Sequence, residues 1–254
     1  GLAPGNPLPV EAPLGLAFVL RGSGELEAAE SLYARALPVA RVTPEVPPGD
    51  LALHLNNLAY LHRVGGDFDQ AQGLYGEALE ILTELYGRAH PNALLVASNR
   101  AAALAHMDRT EDALAILREN VAAAEAQWPE GHWRVGSAHM VLGRALLQAA
   151  RPEEAKAPLL AGIRIYQEEL GEGHLWTDFA AIAYRVAQIV TDDDPEARQA
   201  LDFFHQVLRG TYEREGGFLR PDLAQLTVSL VGVLEGSGLE AEAQLFRAML
   251  PGDC

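Results

Sequence analysis

The sequence lacks the features that mark secreted and membrane proteins. It holds one cysteine, Cys254, so no disulfide can form within the chain, as is usual in a reducing compartment. It has no run of about 18 uncharged apolar residues that could span a bilayer. The opening segment is rich in proline and glycine and has no basic stretch followed by an apolar core, which a signal peptide needs. We therefore expect a cytoplasmic protein without membrane contact.

Basic residues are also scarce. The chain has 19 lysines and arginines against 35 aspartates and glutamates, a formal net charge of −16. A surface this acidic repels the phosphate backbone of DNA or RNA, so we expect no nucleic-acid partner. Among the basic residues only Lys156 is a lysine, and so strong a preference for arginine suggests a GC-rich bacterial genome.

Sequence motifs of catalysis are missing as well. The chain contains no HExxH, no GxSxG, no P-loop and no GxGxxG motif. Its acidic clusters, residues 153–154, 168–169 and 192–194, are expected on outer helices and loops, where carboxylates are solvated rather than paired as acid and base. We therefore predict no enzymatic activity, no cofactor and no metal site.

The sequence does contain an internal repeat. His90, His132 and His174 follow one another at intervals of 42 residues, each close to a glycine. At the same offset the segment AAESLYARAL, residues 28–37, aligns with QAQGLYGEAL, residues 70–79. Alanine and leucine dominate the composition and β-branched residues are few, which favours helices over strands. We therefore predict a chain of repeated helical segments.

Each repeat predicts two antiparallel helices. The second helix has a small residue, a large apolar residue four positions later and a third, mostly small residue three positions beyond that. Residues at this spacing lie on one face of a helix. The first helix also has one small position, and short polar links join the two helices. These positions are Ala29, Ala71, Ala113 and Ala155; Tyr33, Tyr75, Leu117 and Leu159; Ala36, Ala78, Asn120 and Gly162; and, on the first helices, Ala17, Ala59, Ala101 and Gly143.

This pattern resembles the tetratricopeptide repeat. The 42-residue period and the wording LNNLAYLH, residues 55–62, and ALEILTELYGRAHPN, residues 78–92, are similar to the repeats of kinesin light chain. The resemblance is good from about residue 14 to residue 180 and looser beyond. It implies an all-α fold, a right-handed α-α superhelix of about six antiparallel helix pairs.

The domain organisation follows from the repeats. We expect a flexible lead-in over residues 1–13 and a single solenoid domain over residues 14–250. Terminal repeats often depart from the pattern because one of their faces meets solvent. The predicted repeats are 14–51, 52–93, 94–135, 136–177, an irregular one over 178–221 and a capping pair over 222–250.

The resemblance implies that the first helices line a concave surface that binds peptides. Carboxylates are absent from the four stretches 14–22, 52–64, 93–107 and 135–150, and Asp178 is the only one within 177–190. We therefore expect a neutral to positive groove on an acidic protein, which favours an acidic or carboxylate-bearing ligand. Alternatively, carboxylates are merely excluded from a packed layer. Each of the five stretches carries one arginine: Arg21, Arg63, Arg100, Arg144 and Arg185.

Candidate partner-binding residues follow from helical position and from the LNN motif, whose asparagines contact a bound peptide in related repeats. Arg100 is a doubtful groove residue because it aligns with Leu58, a packing position, and Ala102 leaves a hollow where Tyr60 stands one repeat earlier. The candidates are Asn56, Asn57, Tyr60, Arg63, Ser98, Asn99, Arg144, Gln148, Tyr184 and Gln188.

Two interpretations of the chain remain open. The first is a non-catalytic interaction module that holds a protein or peptide segment in its groove. The second is a structural, assembly or autoinhibitory scaffold region of a larger multidomain signalling protein. The oligomeric state is also open.

We expect the three repeated histidines to bond helix-end carbonyls or pack against the next repeat. The alternative, a metal ion bound by all three, is unfavourable because successive repeats stand about 10 Å apart, too far for shared ligation.

Overall fold

The computed structural model describes residues 8–171 and 174–250. Over these residues the chain forms twelve α-helices and no β-strand, which confirms the predicted all-α repeat fold. None of the described helices is both long enough and apolar enough to cross a membrane. The helices are α1 Leu8–Ser23, α2 Leu26–Ala40, α3 Pro48–Val64, α4 Phe68–Tyr86, α5 Pro91–Ala105, α6 Thr110–Gln127, α7 Trp133–Gln148, α8 Pro152–Leu170, α9 Leu175–Asp192, α10 Pro195–Arg214, α11 Pro221–Gly236 and α12 Glu240–Arg247.

The chain divides into two compact units, and the division falls within α6. Unit 1 extends to Ala123 and unit 2 begins at Ala124. The sequence predicted one solenoid domain over residues 14–250. A division inside a repeat array is physically reasonable because most contacts join neighbouring helix pairs, so that no core is shared by all the pairs.

The first helix begins earlier than predicted. α1 begins at Leu8, inside the lead-in predicted for residues 1–13, of which residues 1–7 lie outside the described part of the chain. Pro13 lies within α1 and removes one backbone hydrogen bond, which is why the sequence favoured a lead-in over a helix. Glu11 in the first turn stabilises the helix through its dipole.

The repeated small and large positions form the seams between paired helices, as predicted. In unit 1, Ala29 and Ala71 are completely buried, and so are Tyr33 and Tyr75 beside them. In unit 2, Ala155 and Leu159 are buried in the same way. Burying one large side chain of this kind stabilises the fold by about 1.5–3 kcal/mol. The hydrophobic core therefore runs along the seams of the helix pairs.

One small position requires glycine. Gly143 on α7 stands where the earlier first helices have alanine, and it faces Leu159 on α8. A Cβ atom at residue 143 would lie 2.5 Å from the Leu159 Cγ atom, closer than real carbon atoms approach. Glycine thus allows α7 and α8 to pack closely.

The repeated histidines are N-caps of the following first helices. The Nδ1 atoms of His90, His132 and His174 each accept a hydrogen bond from the backbone N–H two residues later, at 3.3, 3.1 and 3.3 Å. This corrects the expected bond to helix-end carbonyls, because the rings accept hydrogen bonds from the first turn of the next helix, where four N–H groups lack partners within the helix. Among the described residues no group of three or more His, Cys, Asp or Glu could hold a metal ion.

Two of these histidines also stack on aromatic rings at the end of the preceding helix. The ring centroids of His90 and Tyr86 are 4.6 Å apart, and those of His132 and Trp128 are 4.7 Å apart. The Tyr86–His90 pair spans the turn at Gly87, whose φ of 85° is accessible mainly to glycine. Each such histidine therefore fixes the end of one helix and the start of the next.

The last helix pair of unit 2 departs from a simple continuation of the stack. α11 contacts α9 and also α7, the first helix two pairs back. A Cβ atom at Gly236 on α11 would lie 2.5 Å from the Cα atom of Gln148, at the end of α7. The first helix of the pair predicted as a cap over residues 222–250 therefore lies against the first helices α7 and α9 of unit 2.

The histidine caps give a first testable expectation, and His174 is the cleanest position because its ring stacks on no other ring among the described residues. We expect His174→Ala to lower the free energy of unfolding in urea by about 1 kcal/mol, because one N-terminal N–H of α9 loses its acceptor. His174→Asn keeps an acceptor and should lose much less. Equal stability of His174→Ala and the wild type would contradict the capping role.

The glycine contacts give a second expectation. We expect Gly143→Ala to destabilise the protein by about 1–3 kcal/mol, because the added methyl group collides with Leu159. The matched control is Gly73→Ala on α4, where no atom lies within 4 Å of the new methyl group. That control should stabilise the protein by about 0.5–1 kcal/mol, since alanine loses less entropy than glycine in a helix. Thermal and urea unfolding measure both effects.

Candidate functional site

Unit 1 brings two arginines onto one aromatic ring. The guanidinium carbons of Arg21 on α1 and Arg63 on α3 lie 5.5 and 5.2 Å from the centroid of the Tyr60 ring. Arg21 also lies 5.4 Å from the ring of Phe18, which is exposed to solvent. We call these four residues the Tyr60 cluster. Each cation–π contact stabilises the arrangement by about 0.5–1 kcal/mol at a partly exposed site.

The two arginines of the Tyr60 cluster have no acidic partner within the described residues. Other arginines of unit 1 pair with carboxylates, as Arg41 does with Glu77 at 2.6 Å and Arg109 with Asp112 at 2.6 Å. Arg21 and Arg63 form no such ion pair, and their Nε atoms are shielded from solvent without an acceptor among the described residues. The cluster is therefore a local positive site on a chain of net charge −16.

The positive charges of the Tyr60 cluster also act on a buried tyrosine next to it, Tyr75. Burial raises the pKa of the Tyr75 hydroxyl, and the nearby positive charges of Arg63 and Arg21 act in the opposite direction. Tyr75 is completely enclosed on α4. The base of the cluster is thus packed against the seam of the second helix pair, which holds it in place.

Two asparagines lie beside the cluster and contact each other. The Nδ2 group of Asn99 on α5 donates a hydrogen bond of 3.0 Å to the Oδ1 atom of Asn56 on α3. Both side chains are half-buried. Their bond leaves the Nδ2 group of Asn56 and the Oδ1 atom of Asn99 without a partner among the described residues. One donor and one acceptor are what an extended peptide backbone requires.

The neighbouring candidates Asn57 and Ser98 point into helix seams instead. The Nδ2 group of Asn57 donates to the hydroxyl of Tyr33 at 3.2 Å, and burial raises the pKa of that hydroxyl. Ser98 donates to the carbonyl of Leu94 at 2.9 Å and accepts from the buried Asn120 at 3.2 Å. Adjacent residues on a helix point about 100° apart, so the two asparagines of the LNN motif cannot share a face.

Arg100 is separate from the other arginines of unit 1. Its guanidinium lies against Gly76 on α4, where a Cβ atom would stand 3.6 Å from the Arg100 Cζ atom. Arg100 is therefore not grouped with Arg21 and Arg63. The alignment with Leu58 had made it a doubtful groove residue, since Leu58 and the aligned Leu142 are both buried.

In unit 2 the predicted candidates do not form a comparable cluster. Arg144 is half-buried, its guanidinium carbon lies 5.9 Å from the ring of Phe179, and burial lowers its pKa. Gln148 is exposed but lies beside α11, with its Nε2 atom 3.1 Å from where a Cβ atom of Gly232 would be. α11 therefore covers part of the surface on which these two residues were predicted to bind a partner.

The remaining candidates lie on α9. The Nη1 group of Arg185 donates a hydrogen bond of 3.0 Å to the Oε1 atom of Gln188. Tyr184 is half-buried and stands one turn from Gln188. This arginine is therefore already engaged by a neighbouring amide, in contrast to the unpaired arginines of the Tyr60 cluster.

Phe18 is a functional candidate that the sequence did not predict, and Arg21 was predicted only as one of five groove arginines and not among the partner-binding residues. A signal was available, because Phe18 and Arg21 stand 42 residues before Tyr60 and Arg63. The same aromatic–arginine pair, spaced by three residues, therefore occurs in two successive repeats. Aligning polar positions as well as small ones would have found it.

The bond between Asn57 and Tyr33 gives a third expectation. We expect Asn57→Ala to destabilise the protein by about 1–3 kcal/mol, because the buried Tyr33 hydroxyl loses its partner. In a Tyr33→Phe background the same change should cost much less, since no hydroxyl is left unsatisfied. Urea unfolding of the four proteins measures the coupling. Additive effects would show that Asn57 faces elsewhere.

The sequence matches known proteins over part of its length. The Tetratricopeptide repeat family model matches residues 50–126. Over 92 residues the chain is 37% identical to the Hsp70-Hsp90 organizing protein of Triticum aestivum, a stretch that covers 36% of this chain and 14% of that protein. The chain thus spans a small part of this curated relative.

Solved structures with the same fold extend the comparison to most of the chain. The nearly identical TPR-like repeats of a kinesin light chain-type protein from Podosopora anserina superpose with a TM-score of 0.65 and 18% identity, over 78% of this chain and 94% of that one. A Rap protein complexed with Competence and Sporulation Factor superposes with a TM-score of 0.57 and 14% identity, over 92% and 71% of the two chains. Residues 50–126 thus match the Tetratricopeptide repeat family, and the described chain has the fold of solved structures with TPR-like repeats, including those of kinesin light chain type.

Proposed function

We propose that this protein is a non-catalytic interaction module that binds an acidic, extended segment of a protein or peptide on the inner surface of unit 1. By inner surface we mean the face formed by α1, α3 and α5. The observation that carries the proposal is the Tyr60 cluster, in which two arginines without acidic partners flank one tyrosine. We expect this activity in the cytoplasm, as the single cysteine suggests.

Different residues of this surface would bind the side chains and the backbone of the bound segment. Arg21 and Arg63 would bind carboxylates, since a guanidinium offers a planar pair of donors that matches them. Asn56 and Asn99 would pair with the backbone of the bound segment through their free donor and acceptor. Ala102, which is exposed where Tyr60 stands one repeat earlier, would leave room for a side chain of the ligand.

The charge distribution favours this ligand over others. Acidic residues dominate the chain as a whole, so an acidic segment is repelled from most of the surface. The unpaired arginines offer it one favourable position and speed its association there. Because exposed charges are screened by salt, binding should weaken as ionic strength rises.

The comparisons support a binding role of this general kind. The structurally similar Rap protein was solved in complex with Competence and Sporulation Factor. Its low sequence identity to this chain carries no information on which residues bind. The preference for an acidic segment therefore rests on the arginines of this chain alone.

A scaffold role is the second candidate, and unit 2 favours it. There α11 contacts α7 and α9 and lies beside Gln148, so a segment of the same chain occupies part of the surface formed by the first helices. A surface filled in this way serves assembly or autoinhibition better than capture of a free peptide. Arg144, Gln148, Tyr184 and Gln188 would then stabilise unit 2 or hold α11.

The proposed binding of an acidic segment gives a fourth expectation. It is tested by titrating the protein with two fluorescent ten-residue peptides, one rich in glutamate and one rich in lysine. We expect only the acidic peptide to bind, and Arg21→Gln plus Arg63→Gln to weaken it about tenfold or more, since each charge-assisted bond contributes about 1.5–3 kcal/mol. The matched control is Arg35→Gln plus Arg164→Gln, which removes the same charge from two exposed positions on second helices.

The control separates local recognition from general electrostatics. If both double variants weaken binding equally, the effect comes from net charge and the inner surface of unit 1 is not the site. If neither peptide binds the wild type, the scaffold interpretation is favoured. Circular dichroism of each variant confirms that the helices are intact.

A further inference from the structure

Arg100 occupies a position that packs leucine in other repeats. Leu58 and Leu142 stand 42 residues before and after it, and they are only 6% and 8% exposed. Arg100 is half-buried on the α4 side of α5, where its guanidinium contacts the backbone face of Gly76. A charged group at a packing position is costly unless something compensates its charge.

A cleft opens beside this arginine within unit 1. It has a volume of about 320 Å³ and is formed by α4, the turn that follows α4, and α5. Its floor is apolar or uncharged at Gly76, Leu79 and Thr83. Two arginines and two glutamates complete the lining, which consists of Gly76, Leu79, Glu80, Thr83, Glu84, Arg88 and Arg100.

The positive charges of the cleft are only partly compensated. Arg100 forms no ion pair within the described residues, and its Nε atom is shielded from solvent without an acceptor there. Arg88 has only a long contact of 3.9 Å with Glu119, and its Nη1 atom is likewise unpartnered. Burial lowers the pKa of Arg88, the charge of Glu119 acts in the opposite direction, and the nearby charge of Arg100 lowers the pKa further. The two guanidinium groups therefore face the same small space.

The glutamates of the cleft define what kind of anion fits. Glu80 and Glu84 are exposed and form no ion pair with either arginine. Their charges at the rim oppose a doubly charged group such as phosphate. A single carboxylate can reach the two guanidinium groups, and an aliphatic stem behind it can contact Leu79. A glutamate side chain has this shape and charge.

We propose that Arg88 and Arg100 form a carboxylate-binding pocket on the α4–α5 face of unit 1, which takes the glutamate side chain of a partner segment. The bound carboxylate supplies the acceptors that these guanidinium groups lack. The pocket is separate from the Tyr60 cluster, because Arg100 faces α4 whereas Arg21 and Arg63 face Tyr60. It does not depend on the function proposed for the inner surface.

The pocket gives the fifth expectation, measured by NMR on the arginine Nε–Hε resonances of the full chain. Titration with blocked Ala-Glu-Ala peptide should shift the Arg100 and Arg88 resonances along a saturable curve, while sodium chloride at equal ionic strength should not. Arg100→Leu, which restores the residue found in neighbouring repeats, should weaken this binding at least tenfold. The matched control Arg63→Gln should leave it unchanged, which separates this pocket from the inner surface.

Sodium butyrate and sodium phosphate identify the source of the anion. Weaker saturable shifts with butyrate than with the peptide support a partner's side chain, and tight binding of phosphate would overturn the proposed preference for a single carboxylate. Linear shifts like those of chloride, or unchanged peptide binding by Arg100→Leu, would overturn the pocket itself. A third result would also overturn the pocket. If Glu80→Gln plus Glu84→Gln strongly shifted the Arg100 resonance in the absence of ligand, the two glutamates would already be the counter-ions of Arg100.

Arg100→Leu also separates a binding role from a structural one. An arginine retained for binding reduces packing, so the leucine variant should fold and melt at a temperature equal to or a few degrees above that of the wild type. A large fall in melting temperature would show that the arginine is needed for folding and would contradict the proposal.

Discussion

The close approach of two paired helices depends on a small residue on one helix meeting a large one on the other. Alanine and glycine bring the backbones together, and tyrosine or leucine fills the space beside them, as Ala71 and Tyr75 do in unit 1. Where even alanine is too large, as opposite Leu159, the chain has Gly143. All other features of the surface are placed by this contact, because it fixes which face of each helix is left for solvent or a partner.

The surface left over carries charge unevenly. Acidic side chains engage most outer arginines, as Glu77 engages Arg41. In unit 1, the arginines without an acidic partner among the described residues include those at two separate places, around Tyr60 and beside Gly76. Both places have guanidinium nitrogens that are buried without acceptors. These uncompensated cations on an acidic protein are the basis of the two binding sites that we propose.

The sequence predicted the fold well because the fold depends on local periodicity. The 42-residue spacing located the seam positions, and the helix pairs follow from it. The sequence predicted the site less well, because a shift of one residue along a helix turns a side chain by about 100° and decides which neighbour it meets. Asn56 and Asn57 are adjacent in sequence, yet one faces Asn99 and the other Tyr33. The sequence could not predict that α11 contacts α7, because a contact between helix pairs that are not neighbours produces no periodic pattern in the sequence.

The histidines that cap three first helices have a further consequence for how successive helix pairs depend on one another. Each ring accepts a hydrogen bond from the helix that follows it, and the rings of His90 and His132 also stack on the aromatic side chain that precedes the turn. A substitution at either of these two histidines therefore disturbs two successive helix pairs at once, so that neighbouring repeats are linked in stability as well as in sequence.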